Sequence, residues 1–226
     1  MQFGLIGGIG PAATDFYYRR LISTFAQRKF PLDMTIVHAD TPTLLDNLAR
    51  KDAARQARIF AALTERLDKA GAEFVAVTSI AGHFCRKEFE ALSPLPVVDL
   101  ISSVDRALVP RGLRRIGILG TRTVMETRFY GGITTAAVLA PDQPEMDEVH
   151  GAYIALAASG VVTEAQRKIF HAAGHRLMAE QGAEAIMLGG TDLALVFNEQ
   201  SAPFPLVDCA TLHVDAIAEK AIASMG

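Results

Sequence analysis

Short stretches of this chain hold residue types that could do chemistry. Gly8-Ile9-Gly10-Pro11-Ala12-Ala13 fits a G-x-G-x-x-A pattern between an apolar run and a helical one. Such a turn can face a pyrophosphate or a carboxylate with its backbone amides. The acidic residue that a dinucleotide site needs about 20 positions on is not clearly placed, Asp33 and Asp40 being nearest. A turn facing a carboxylate is the stronger reading and a nucleotide-dependent oxidoreductase the weaker. Thr78-Ser79-Ile80-Ala81-Gly82-His83 offers hydroxyls at a strand end, where they can bind a ligand carboxylate or, as Ser79 equally could, cap a helix. In Gly189-Gly190-Thr191-Asp192 the glycines let a ligand approach the backbone, and Asp192 could serve as acid, base, orienter or cap. Of the six histidines, His171 and His175 lie one helical turn apart without a third ligand and read as a solvated face, so no metal is expected. His83 and His213 lie near loops and are the better candidates. Cys85 falls in the first turn of an expected helix, where the dipole can lower a thiol pKa, and Cys209 follows Asp208 at a strand end. No nucleophile elbow, phosphate-loop lysine or zinc-spaced cysteine cluster is present.

These segments need elements to hold them. Short apolar runs at 3–6, 34–38, 74–77, 97–98, 116–119, 136–139, 185–188 and 206–207 read as strands. Helical patterns cover 11–26, 44–70, 83–91, 102–109, 142–159, 163–181 and 210–223. Strands separated by helices predict βαβ units and parallel sheets covered on both faces. The chain also repeats itself. Gly4-Leu5-Ile6-Gly7 returns as Gly117-Ile118-Leu119-Gly120, and Thr14-Asp15-Phe16-Tyr17 as Thr127-Arg128-Phe129-Tyr130, both 113 residues on. Gly71-Ala72-Glu73 returns as Gly182-Ala183-Glu184, and Pro94-Leu95-Pro96-Val97-Val98-Asp99 as Pro203-Phe204-Pro205-Leu206-Val207-Asp208. Matches in one order at nearly one offset point to duplication. The expectation is an α/β protein of two pseudo-symmetric Rossmann- or flavodoxin-like halves, residues 1–98 with 212–226 and residues 99–211, their sheets facing a shared cleft. Loops beyond the C-terminal strand ends would line it. A site with one group on each side suits a two-base proton transfer.

Composition sets the bounds. The chain has 226 residues, 50% hydrophobic and 21% charged, which excludes disorder, collagen-like repeats and disulfide scaffolds. Apolar stretches are too short to span a bilayer, no basic segment precedes the first apolar run, and two cysteines make no framework. A cytoplasmic protein is expected. A net charge of −3 with mixed signs gives no reason to expect nucleic acid or membrane as partner.

The residues 4–14, reading Gly-Leu-Ile-Gly-Gly-Ile-Gly-Pro-Ala-Ala-Thr, resemble the opening of the aspartate/glutamate racemase superfamily, most closely its aspartate racemase branch. Gly117-Ile118-Leu119-Gly120-Thr121-Arg122 with Met125-Glu126 and Phe129-Tyr130 is similar to that branch's mid-chain strand and helix. Gly182-Ala183-Glu184, Gly189-Gly190-Thr191-Asp192, Asp208 and His213 also fit, so the resemblance spans the chain. It implies a cofactor-independent isomerase site for a small amino acid, usually in a homodimer, with a cysteine from each half as base and acid. By that resemblance Thr78 stands where the first cysteine sits, Gly190 where the second sits, and Asp192 replaces a glutamate. Asn47 stands where many aspartate racemases carry a substrate-binding arginine, and Glu148 or His150 occupies the region of a usual lysine. Neither Cys85 nor Cys209 aligns with a catalytic position.

A thiol titrates near 8.5 and a modest shift makes it a base, whereas a threonine hydroxyl needs a base of its own and glycine transfers no proton. Two-thiol racemisation is therefore closed to this chain. A one-base reaction on a small amino or carboxylic acid, such as isomerisation, elimination or decarboxylation, remains open, as does a non-catalytic acid-binding or regulatory role. The expected catalytic groups are Thr78, His83, Asp192 and His213. Gly8, Ile9, Asn47, Ser79, Ile80, Thr121, Gly190 and Thr191 are expected around the substrate.

Overall fold

The computed structural model describes residues 1–197 and 202–223. In chain order its first elements are β1 (Phe3–Gly7), α1 (Pro11–Arg28), β2 (Met34–His38), α2 (Thr41–Ala49), α3 (Ala53–Lys69), β3 (Val75–Val77), α4 (Arg86–Leu92) and α5 (Leu100–Leu108). There follow β4 (Arg115–Gly120), α6 (Arg122–Glu126), β5 (Ala137–Leu139), α7 (Gln143–Ser159), α8 (Glu164–Ala179), β6 (Ala185–Gly189), β7 (Leu206–Asp208) and α9 (Cys209–Ala223). Contacts divide the chain into a first unit, Met1–Ser103 with the chain from Ala210 onward, and a second, Val104–Cys209. No described helix is long and apolar enough to cross a membrane.

The first unit is built on a parallel sheet in the order β2-β1-β3. Alternate side chains of a strand point to opposite faces. Phe3 and Leu5 accordingly pack with Tyr17, Leu21 and Phe25 of α1 and Val214, Ile217 and Ala221 of α9. Ile6 packs on the other side with Phe60, Leu63 and Leu67 of α3 and Phe89 of α4. The second unit has the parallel order β5-β4-β6-β7. Its first three strands thus repeat the arrangement of the other unit, with β4 in the place of β1.

The repeated glycines have a packing reason. A Cβ on Gly4 would stand 2.6 Å from Leu67 Cδ1, and one on Gly117 would stand 2.7 Å from Ile186 Cδ1 and 3.0 Å from Leu177 Cδ1. α3 crosses β1, and α8 crosses β4, too closely for a side chain.

Several local expectations are corrected. The single helix expected over 44–70 is two, because Lys51 turns left-handed (φ 56°) and the Asp52 carboxylate accepts the Arg55 amide to start α3. Residues 97–98 form no strand; Val97 makes an isolated bridge to Val75, while its repeat partner Leu206 lies in β7. The helix expected from His83 opens as a 3₁₀ turn, Ala81–Cys85, ahead of α4. The helical patterns include none between the 116–119 run and residue 142, yet Arg122–Glu126 form α6. The quartets at 14 and 127 diverge: the first lies within α1, whereas Arg128, Phe129 and Tyr130 follow α6 with φ of 50°, 61° and 56°.

Candidate functional site

Parallel sheets present ligands at the carboxyl ends of their strands. In the first unit these ends carry Gly8 after β1 and Thr78 after the neighbouring β3. The Gly8 N–H donates to Thr14 Oγ1 (2.8 Å), and Thr14 Oγ1 lies 3.2 Å from Thr78 Oγ1. Thr78 Oγ1 also donates to the Ile6 carbonyl at 3.4 Å, and Thr41 Oγ1 donates to the Gly8 carbonyl at 2.6 Å. Thr78 is therefore a buried member of a hydroxyl chain that ties β1, α1 and β3 together. Ser79 Oγ accepts the Gly82 amide (3.3 Å), so it does hold the following turn. Ile9 and Ile80 have side chains in the core, which leaves only their backbone to meet a ligand. Beside this chain a cavity of 340 Å³ opens between α1 and β2, lined by Gly8, Thr14, Tyr18, Ile36 and His38 among others.

The two histidines expected to move protons are built into the core instead. The His213 Nε2 lies 2.8 Å from the Val98 carbonyl, which can only accept, so Nε2 carries the proton and Nδ1 accepts the Tyr17 hydroxyl at 2.8 Å. Burial, with His83 nearby, pushes its pKa down to about 3. The His83 Nδ1 likewise donates to the Ser79 carbonyl (2.6 Å), and its Nε2 accepts the Leu100 amide (3.3 Å). Burial lowers its pKa too, against the opposing pull of Asp99, whose Oδ1 is 3.8 Å away. As placed, neither ring has a nitrogen free to take a proton from an outside molecule. Asn47 is also buried; its Nδ2 donates to Gln56 Oε1 at 2.8 Å, joining α2 to α3.

Both thiols are enclosed. Cys85 is buried just before α4, not within its first turn, and burial followed by the nearby Glu88 pushes its pKa up to about 12. The lowering expected from a helix dipole is absent because desolvation of the thiolate outweighs it. Burial, with Asp208 next, also raises the Cys209 pKa well above its ordinary value.

In the second unit, Thr121 follows β4 and Gly190, Thr191 and Asp192 follow the neighbouring β6. Thr121 caps α6 by accepting the Val124 amide at 3.4 Å. Gly190 is extended, with φ −159° and ψ 133°, and begins the 3₁₀ turn Thr191–Leu195. A Cβ at Gly190 would stand 2.3 Å from Cε2 and 2.4 Å from both Cζ and Oη of Tyr153 on α7. The Tyr153 hydroxyl donates to Asp192 Oδ2 at 2.9 Å. Asp192 thus does not cap its own turn; its carboxylate is held by a phenol from another helix. Burial, and then the Asp192 charge, raise the Tyr153 pKa well above its ordinary value, so the phenol stays a donor. The composition of the segments gave no sign of Tyr153, which sits unmarked inside a helical pattern. Thr14 was visible within a repeat and within the opening stretch 4–14, with no role of its own.

Among the described residues no group of His, Cys, Asp and Glu could hold a metal ion. His171 stacks on Phe197 at 5.1 Å and His175 meets the edge of Phe204 at 5.4 Å, which gives both a packing role.

Residues 6–217 match the model of the Asp/Glu/Hydantoin racemase family. Among solved structures, a Yersinia pestis protein provisionally assigned as an Asp/Glu racemase is 28% identical over 98% of this chain and 99% of its own, with a TM-score of 0.86. An aspartate racemase homologue from Pyrococcus horikoshii shares the fold at 23% identity over 98% of this chain and 99% of its own, with a TM-score of 0.82. Glutamate racemase from Francisella tularensis, solved with D-glutamate, shares it at 12% identity over 99% of this chain and 82% of its own, with a TM-score of 0.68. With the family model spanning both units and their parallel sheets, this chain belongs to the Asp/Glu/Hydantoin racemase family.

Proposed function

We propose that this chain transforms a small amino or carboxylic acid by cofactor-free proton transfer that uses a carboxylate instead of paired thiols. The observation that carries the reading is Asp192, partly exposed at the end of β6 with its carboxylate fixed by a hydrogen bond, while both thiols are buried with raised pKa values. In this reaction the substrate Cα–H bond breaks, the proton passes to an Asp192 oxygen, and the electron pair delocalises into the substrate carboxyl as an enolate. The Thr191 hydroxyl and the glycine-rich backbone at Gly189–Gly190 serve as hydrogen-bond groups for that charge. Returning a solvent-exchanged proton to the α-carbon gives exchange, delivering it to another carbon of the delocalised anion gives isomerisation, and departure of a β-substituent with its bonding electrons gives elimination. The relatives' names point to an amino acid. Asn47, engaged with Gln56, supplies no cation for a second carboxylate, which favours an acid with one carboxylate over aspartate or glutamate.

Incubating the chain in deuterated water with aspartate, glutamate and a panel of neutral amino acids, read by NMR, tests the proposal. Deuterium at the α-carbon or a new product is expected for at least one acid. No exchange and no product across the panel would refute it. A second reading, a non-catalytic acid-binding protein, draws on the hydroxyl chain at Thr78, which is bonded within the fold. A raised melting temperature with an acid that shows no turnover supports that reading, and no shift with any acid removes it.

A further inference from the structure

We propose that Tyr153 is the positioning residue for the Asp192 carboxylate, and that Gly190 lacks a side chain so that the Tyr153 ring can stand beside it. The inference rests on the role given to Asp192 above. The ring comes from α7, enters beside the strand end of β6, and occupies the volume any Cβ at position 190 would need, at 2.3–2.4 Å from three of its atoms. Its hydroxyl ends 2.9 Å from Asp192 Oδ2. A carboxylate has no proton to give at neutral pH, so the phenol is the donor, and a charge-assisted O–H···O⁻ bond is among the stronger ones available. Tyr153 is 8% exposed and Asp192 more so. The bond is therefore made from the protein side of the carboxylate, fixing its rotamer without consuming the side open to a ligand. Tyr130, presented by the left-handed stretch after α6, lies within electrostatic reach of the same phenol. Tyr153 itself moves no proton in this account; losing its own would set a phenolate against a carboxylate.

The test uses the whole chain and the variants Y153F, D192N and the double variant. Y153F keeps the ring beside Gly190 and removes only the hydroxyl. With an acid that the wild type exchanges, Y153F is expected to lower kcat about tenfold or more, the equivalent of one hydrogen bond to a charged group, and to leave KM within about twofold. The double variant is expected to be no slower than D192N, because Tyr153 acts through Asp192. In parallel, a slowly exchanging downfield hydroxyl proton of Tyr153 is expected by ¹H NMR at neutral pH, absent from Y153F and moved upfield in D192N. A Y153F enzyme with unchanged kcat, additive losses in the double variant, or a hydroxyl spectrum indifferent to D192N would each overturn the proposal. If the wild type exchanges no acid, the proposed function fails while the NMR arm still decides whether Tyr153 positions Asp192.

Discussion

Substituting Gly190 with alanine isolates the contact on which the second unit's site depends. The backbone there is extended, at φ −159° and ψ 133°, so alanine meets no conformational penalty. On backbone grounds alone the change would stabilise by about 0.4–1 kcal/mol through the unfolded chain. The added Cβ, however, would lie 2.3–2.4 Å from three atoms of the Tyr153 ring, where carbon atoms prefer about 3.5–4.0 Å. A buried ring must then move by more than an ångström, an overpacking that costs about 1–3 kcal/mol. The displacement also breaks the hydrogen bond to Asp192, worth about 1.5–3 kcal/mol with a charged acceptor. The clash wins, and G190A should destabilise by about 2–5 kcal/mol, a fall in Tm of roughly 5–15 °C for a chain of this size. Thermal and urea unfolding followed by circular dichroism measure it. The decisive comparison is the same substitution in a Y153A background. There the ring is gone and the sign should reverse, with G190A neutral or stabilising by about 0.4–1 kcal/mol. An equal effect of G190A in both backgrounds, or none in the wild type, would refute the reasoning.

The cysteines should be silent in the folded chain: with Cys85 at about 12, its alkylation at pH 8 should be about a thousandfold slower than that of a free thiol. Rapid native-state labelling of either cysteine contradicts their burial. Stability should fall on acidification. His213 is held neutral, with a pKa of about 3 in the fold against 6.5, so the unfolded chain binds more protons between those values. Stability is complete above about pH 6.5 and declines below it, His213 alone removing about 2 kcal/mol by pH 5. A urea midpoint unchanged between pH 7 and pH 5 counts against this. Replacing Thr78 by valine keeps the shape and removes the hydroxyl that spans Thr14 and the Ile6 carbonyl. Stability should drop by about 1–3 kcal/mol while T78S retains most of it; a T78V chain with the wild-type urea midpoint removes Thr78 from that network.

Much of the architecture could be read from residues because it depends on local rules. Apolar runs such as 3–6 and 185–188 are strands buried on both faces, and Gly4 and Gly117 recur where a helix crosses a strand at close range. Departures came where one backbone angle or one missing partner decides the outcome: Lys51 turning left-handed, Val97 finding a single bridge, Cys85 falling outside α4. The site was less legible. His83 and His213 stand near chain segments that looked like loops, but carbonyl and hydroxyl partners from distant positions take up their nitrogens. Tyr153 lies 39 residues from Asp192, and nothing in a helical period says which side chain reaches a strand end. The vacancy at Gly190 was visible, while its occupant was not.

In the proposed reaction oxygen groups transfer the proton without thiols. The most direct test is α-deuterium incorporation by the folded C85A/C209A chain, measured by NMR with an acid the wild type exchanges. Exchange at the wild-type rate is the predicted result. Exchange that is present in the wild type and abolished in the folded cysteine-free chain would contradict the account.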